Sequence, residues 1–243
     1  MNMKNALRWY IAETYRPGLV GFFLNPYYLV RVSIYQAIKR HAPLLRGRLL
    51  DFGSGSKPYR HLFQVDEYVG LDVEQSGHDH SLEAIDVIYD GRNIPFPENS
   101  FDACFSSQVF EHVFDLPHSL REINRVLKPG GQALFLVPFV WEEHEVPYDF
   151  ARYSPFGLVH LLKEANFEIV QQTTDAHFAA VLVQLWCAYV HNITSTKNKY
   201  INLLTQLIFV FPFMLIGYGL QAVAPRSRTL YFNTVLMVHK KSL

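Results

Sequence analysis

Leu49-Leu50-Asp51-Phe52-Gly53-Ser54-Gly55-Ser56 joins a short apolar run to two glycines separated by one small side chain. The apolar half reads as a buried strand. The glycines at its carboxyl end mark a turn where a ligand can approach the main chain with no Cβ in the way. Further apolar runs follow at 68–72, 87–89, 101–106 and 133–137, the first of the five lying at 48–52. Between the last two, Leu120, Ile123, Val126 and Leu127 recur at helical spacing, and Lys128-Pro129-Gly130-Gly131 stops that helix with a cation and a breaker. A helix over 155–164, an alternating run over 167–170 and a last strand over 230–238 complete the series. Strands alternating with helical patterns predict a parallel sheet covered by helices.

The glycine loop alone is a weak signal. A nicotinamide dinucleotide site would read GxGxxG, and Pro58 stands at the third glycine position, which removes an N–H and close helix packing there. The acids downstream say more. Asp72 ends the second run nineteen residues after Gly53, where a carboxylate can accept from both hydroxyls of a ribose. Asp90 ends the third, where the acid or the neighbouring main chain can meet the exocyclic amine of an adenine. Each acid by itself fits a turn or a helix cap. Asp51 with Gly53, then Asp72, then Asp90, at three strand ends in succession, point instead to a nucleoside-bearing ligand.

With these residues the chain resembles the class I S-adenosylmethionine-dependent methyltransferases, in particular their small-molecule branch of the type 11 kind. The likeness runs over residues 48–174 and resumes at the last strand. It is carried by the Leu49–Gly55 loop, Gly70-Leu71-Asp72, Ile94-Pro95-Phe96-Pro97-Glu98-Asn99-Ser100-Phe101-Asp102, Ser107-Gln108-Val109-Phe110-Glu111-His112, and the stretch from Arg121-Glu122-Ile123 to Lys128-Pro129-Gly130-Gly131. The resemblance implies a Rossmann-like, seven-stranded, mostly parallel sheet with an antiparallel last strand. It also implies S-adenosylmethionine as cofactor, held by Asp51, Gly53, Ser54, Gly55, Asp72, Val73, Asp90, Gly91, Ser107 and Gln108. In that set the glycine loop meets the methionine, Asp72 the ribose, Asp90 and Gly91 the adenine, and Ser107 and Gln108 the methionine end. Ser56 departs from the family, many of whose members carry a third small glycine there.

Methyl transfer from a sulfonium is an in-line displacement, so the protein has mainly to align acceptor, methyl and sulfur in a dry pocket, and an oxygen acceptor must also lose its proton. The family has no universal base. The residues for this work are sought in the loop after the fifth strand, over the edge where ligands sit. Residues 139–154 are dense in titratable and aromatic groups. His144, between Glu143 and Glu145, is the first candidate for general base and Asp149 the second. Arg152 can fork onto an anionic acceptor, and Tyr148, Phe150 and Tyr153 can wall the pocket. The bland alternative is a lid of surface charges in which Asp149 and Arg152 pair with each other. His78 and His80 form an HxH without further ligands to complete a tetrahedral set, so no metal is expected.

The 243 residues are 49% hydrophobic and 18% charged, which suits a globular domain with a full core. The formal charge is zero, but residues 1–50 carry +7, residues 51–150 carry −12 and residues 151–243 carry +5. Basic ends around an acidic middle argue against a nucleic-acid binder and fit ends that meet an anionic surface. Two isolated cysteines and an N-terminus broken by Asn5, Glu13 and Thr14 indicate a cytoplasmic protein without a cleavable signal. The anomaly is residues 175–229: 201–224 hold no Asp, Glu, Lys, Arg or His over a length that would span a bilayer.

Both ends of that insertion join sheet strands, so a single crossing is excluded. Two crossings would carry Lys197 and Lys199 across on a first segment barely long enough. The sequence thus divides into a basic, aromatic N-terminal segment (1–47), a cofactor-binding core (48–174), a hydrophobic helical insertion (175–229) and a final strand (230–243). The insertion is read as a peripheral contact with the inner membrane leaflet, against the alternative of a helical cap or a homo-oligomer interface. The activity that follows is O-methylation of a lipid-linked, glycan or other small acceptor. A quinone or isoprenoid C- or O-methyltransferase and a non-catalytic scaffold stand as alternatives.

Overall fold

The computed structural model describes residues 13–74, 85–223, 225 and 227–242, and it divides into two compact units. His78 and His80, and residues 1–12 of the basic, aromatic N-terminal segment, lie outside the described residues.

Ile38–Thr174 and Asn233–Leu243 make the first unit. Its sheet has seven strands: β1 (Arg48–Phe52), β2 (Glu67–Val73), β3 (Val87–Tyr89), β4 (Phe101–Ser107), β5 (Leu127–Pro138), β6 (Phe167–Thr174) and β7 (Asn233–Lys240), in the order β3-β2-β1-β4-β5-β7-β6. The first five pair in parallel, and β7 runs antiparallel between β5 and β6. This is the Rossmann-like architecture that the family resemblance implies. Leu49 and Leu50 are fully buried because β1 lies between two parallel neighbours and is covered on both faces.

The helix Leu116–Val126 begins at Asp115, whose side chain accepts from the His118 N–H. It buries Leu116, Leu120, Ile123 and Val126, at helical spacing, in a core shared with Phe101 and Phe135. Its outer face is tied to the 94–96 turn: Glu122 accepts the Ile94 N–H at 2.9 Å, and Arg125 donates to the carbonyls of Phe96 and Ile94.

The Lys128-Pro129-Gly130-Gly131 breaker ends the helix but does not fall outside the sheet. It forms a bulge inside β5, where the register with β4 jumps from Phe101↔Leu127 to Ala103↔Gln132, and Gly130 takes φ +74°. β6 runs to Thr174, four residues past the alternating stretch, because β7 pairs with it as far as Thr174↔Thr234.

The second unit comprises Met1–Ala37 and Asp175–Phe232. The N-terminal stretch and the insertion, read separately in the sequence, here pack together. Gln184, fully buried in the helix Phe178–Thr194, donates to the Pro26 carbonyl at 2.7 Å and accepts the Val30 N–H at 3.3 Å, satisfying main-chain groups at the start of the helix Tyr28–His41. Phe22 meets Phe211 and Tyr218 edge-on. Cys187, Val190, Val210 and Met214 form a small core. Lys199–Thr205, a π-turn at Gln206–Val210 and Phe211–Val223 run on as one helical rod. Within it Tyr200–Leu220, 21 residues, is long and apolar enough to cross a membrane, and Leu204, Ile208, Phe209, Ile216 and Tyr218 are all more than half exposed.

Truncating Ile123 to alanine should destabilise the protein by ~2–5 kcal/mol, since it empties a fully buried position. Phe156→Ala, at a side chain 84% exposed, should stay within ~0.5 kcal/mol. Urea midpoints of the two variants give the comparison, and similar shifts in both would contradict this account of the core.

Candidate active site

Parallel pairing sends the chain out of β1, β2, β3 and β4 at one edge of the sheet. Gly53 and Gly55, after β1, have φ of +75° and +45°. A Cβ on Gly53 would collide with the methyls of Val109, so only glycine fits this close approach of the β1 and β4 loops. The Gly55 N–H donates to Asp72 Oδ2 at 2.7 Å, and Asp72 Oδ1 accepts the Val73 N–H at 2.8 Å, which fixes a 7%-exposed carboxylate at the tip of β2. Asp90 folds its own loop by accepting from the N–H groups of Arg92 and Asn93, and Gly91 beside it has φ +74°. Gln108 takes φ +59° and donates to Asn233 at 2.8 Å. Ser54 and Ser107 each hold a buried hydroxyl with no hydrogen-bond partner among the described residues.

Asp51 is buried within β1 and accepts from the Tyr68 hydroxyl at 2.6 Å, so it braces β1 against β2. Burial pushes its carboxyl up to about 7. Lys57 crosses over Gly70 to pair with Asp86 at 2.5 Å, and Asp86 also accepts the Gly70 N–H.

A second constellation forms where the turn Phe110–His112, after β4, meets the loop after β5. Glu111 has no solvent exposure, neither carboxylate oxygen makes a hydrogen bond among the described residues, and burial pushes its carboxyl up to about 8. Its main-chain carbonyl accepts the N–H groups of Phe150 and Ala151, pinning the loop to the turn. His112 Nδ1 lies 2.9 Å from the Tyr148 carbonyl, and its Nε2 lies 3.7 Å from Glu111 and 3.8 Å from Glu145. The His112 and His144 rings meet edge-to-face at 4.8 Å. His144 Nδ1 lies 3.1 Å from the Glu142 carbonyl, and burial, followed by the neighbouring His112, holds its imidazole below the ordinary range.

Asp149 and Arg152 engage each other through a two-pronged pair at 2.5 and 2.8 Å. Asp149 also accepts the His144 N–H, while Arg152 donates to the carbonyls of Ala151 and Glu142. The guanidinium holds the Asp149 carboxyl down at about 2. Sequence reasoning offered Asp149 as a base and Arg152 as an anion fork; in the structure they are committed to each other and to the loop. Tyr153 is half-buried and packs against the main core.

Residues 50–135 match the methyltransferase domain family. That stretch contains the glycine loop, Asp72, Asp90 and the Glu111-His112 turn, and it spans the strands β1 to β5. Residues 50–135 are a methyltransferase domain of the class I S-adenosylmethionine-dependent kind. Among curated proteins, the chain is 31% identical over 102 residues to the malonyl-[acyl-carrier protein] O-methyltransferase of Erwinia billingiae, covering 38% of this chain and 41% of that protein. It is 48% identical over 44 residues to the 2-phytyl-1,4-naphtoquinone methyltransferase of Nostoc punctiforme, covering 18% and 19%. The chain thus spans less than half the length of either relative. Among solved structures it shares its fold with the [4+2]-cyclase SpnF, with a TM-score of 0.56 and 20% identity over 89% of this chain and 83% of that one.

The residues at this edge fit the cofactor. Gly53 and Gly55 turn the chain with positive φ and no side chain, a fixed carboxylate stands at the end of β2, and the Ser54 and Ser107 hydroxyls are buried without a hydrogen-bond partner among the described residues. These belong to the positions singled out in the sequence. What sequence reasoning left out is Glu111 and His112, which it quoted only as part of the family likeness, and their meeting with His144. The one local signal was an acid and a histidine directly after the apolar Val109-Phe110, where the chain is still inside the core.

Burial raises Asp51 from 3.8 to about 7, so the folded domain holds this proton more tightly than the unfolded chain does. The stabilisation is therefore full below about pH 4 and fades as the pH rises toward 7. Asn keeps an acceptor for Tyr68 and does not titrate. The melting temperature of Asp51→Asn should gain on the unsubstituted protein between pH 5 and pH 8; an unchanged gap would show that Asp51 is charged in the fold.

Proposed function

We propose that this protein transfers a methyl group from S-adenosylmethionine to an oxygen of a small, apolar or lipid-linked acceptor, on the cytoplasmic face of the membrane. The observation that carries the reading is the Asp72 carboxylate clasped by the Gly55 N–H at the end of β2, beside a turn at which Gly53 has no space for a side chain. Bound at this edge, S-adenosylmethionine supplies a methyl group activated on a sulfonium. In this reading Asp72 and Val73 meet its ribose, Asp90 and Gly91 its adenine, and Asp51, Gly53, Ser54, Gly55, Ser107 and Gln108 its methionine end. The chain's work is then to exclude water and to draw a proton from the acceptor at the Glu111, His112 and His144 cluster.

An apolar acceptor is supported by the aromatic rim next to that cluster. Phe114 is 83% exposed and stacks edge-on against the half-exposed Phe150, whose N–H is held by Glu111. Side chains of this kind are left in water where something apolar is to cover them. Membrane contact is supported by the exposed apolar helix Tyr200–Leu220 and by the basic N-terminal residues. The insertion leaves β6 and re-enters β7 at adjacent positions, Thr174 and Thr234, so its two ends share one side of any membrane. A quinone-type ring acceptor is the second reading, favoured by the 44-residue likeness to the naphthoquinone enzyme.

Calorimetric titration with S-adenosylhomocysteine tests the first step. The full chain should bind it, and Asp72→Ala should weaken binding at least ~10-fold, the loss of one to two hydrogen bonds to a charged group. Incubation with methyl-labelled cofactor and fractionated cell lipids should then move label into the lipid fraction. Absence of binding heat would overturn the reading, and label confined to water-soluble products would remove the lipid acceptor.

A further inference from the structure

The chain's own atoms gather a donor set that neither the cofactor cleft nor the Asp149–Arg152 pair accounts for. Glu111, His112 and His144 each offer a ligand atom, and these atoms lie within 4.8 Å of one another. Two come from one turn after β4 and the third from the loop after β5, so the set is assembled by the fold and is not a local run of charge. We propose that Glu111, His112 and His144 form a binding site for a first-row divalent transition cation, with coordination positions left for water or for an acceptor oxygen.

Three observations converge on it. The Glu111 carboxyl is entirely removed from solvent, and both its oxygens lack a hydrogen bond among the described residues. A carboxyl group in that position is costly unless something pairs with it. His112 Nε2, at 3.7 Å, is itself buried and makes no hydrogen bond among the described residues, and the Arg152 guanidinium, whose charge reaches Glu111 through space, is forked onto Asp149.

The second observation is the way the imidazoles are held. Nδ1 of His112 faces the Tyr148 carbonyl at 2.9 Å, and Nδ1 of His144 faces the Glu142 carbonyl at 3.1 Å. A carbonyl can only accept, so His112 places its proton on Nδ1 and keeps the Nε2 lone pair for another partner; at His144 the Glu142 carbonyl at 3.1 Å and the Asp149 carboxylate at 3.4 Å outweigh the Arg152 donor at 3.4 Å and favour the same arrangement. Histidines that ligate metals are oriented by this arrangement, the far N–H donated to a main-chain carbonyl or a carboxylate.

The third is the support behind the loop. Asp149 accepts the His144 N–H, and Arg152 forks onto Asp149 while donating to the Glu142 carbonyl, the same carbonyl that orients the His144 ring. The Asp149–Arg152 pair thus positions a ligand and need not touch an acceptor.

Two imidazole nitrogens and one carboxylate suit zinc, iron(II), manganese(II) or cobalt(II) better than calcium or magnesium, which prefer all-oxygen sets. Three protein ligands leave a position open. A hydroxyl bound there would lose its proton more readily, the proton passing to water, and would present an alkoxide or phenolate to the methyl donor. That use of the site rests on the methyl-transfer reading; the cation site itself does not.

The full chain, treated with a chelator and dialysed, should be titrated with cobalt(II) alone and followed by its visible ligand-field absorption. One equivalent should bind. His112→Ala and His144→Ala should each weaken binding by more than ~100-fold, beyond the ~10–100-fold that loss of an outer partner costs. Glu111→Gln, which keeps the shape of the side chain, should bind more weakly with an altered spectrum, and covers the case in which a histidine variant does not fold. No cobalt binding, or binding undiminished in the folded variants, overturns the site. Titrating the same samples with S-adenosylhomocysteine separates the two readings. A protein that takes cobalt but not the cofactor product keeps the cation site and loses methyl transfer; one that takes only the cofactor product does the reverse.

Discussion

Parallel pairing of β1 between β2 and β4 is the constraint from which the rest follows. Parallel neighbours must all be left at the same edge, so the loops after β1, β2, β3 and β4 have no choice but to crowd one another there. Gly53 against Val109 records the closeness of that crowding, and Asp72 against Gly55 records how it is made rigid. A carboxylate that receives two main-chain N–H groups is fixed in direction before any ligand arrives, which limits the ordering that binding has to pay for.

The same edge carries the polar cluster, and there the balance of forces is different. Glu111 stands at the inner end of a short turn, wedged beneath a loop that its own carbonyl holds in place through Phe150 and Ala151. An apolar residue there would satisfy the core more cheaply, since burying a carboxyl without partners costs a few kcal/mol. Its presence beside two imidazoles, each oriented by a main-chain carbonyl, is a departure from what packing alone would choose, and such departures concentrate at functional sites.

Much of the architecture could be read from the residues. The strands at Arg48–Phe52 and Val87–Tyr89 and the helix Pro155–Glu164 begin and end where apolar runs, glycine and the Ser154-Pro155 start signal put them. Those signals are local, and so are the forces behind them. Boundaries set by pairing were less legible: β6 extends to Thr174 because β7 supplies hydrogen bonds from about sixty residues away, and the Lys128–Gly131 turn becomes a bulge because β4 continues beside it. The chemistry of the loop divides in the same way. His144 drew notice through its charged neighbours in sequence, but its surroundings are His112, Asp149 and the Glu142 carbonyl. Glu111 escaped because a buried acid and an exposed one look alike in a string of letters.

The insertion hangs from a single rung of the sheet, with Thr174 and Thr234 facing each other across β6 and β7. A segment whose two ends are neighbours makes no demand on the register of the strands that flank it, and its length enters the entropy of closure only logarithmically. The apolar helices could therefore be lengthened, shortened or exchanged while the hydrogen-bond ladder of β5, β7 and β6 stayed as it is.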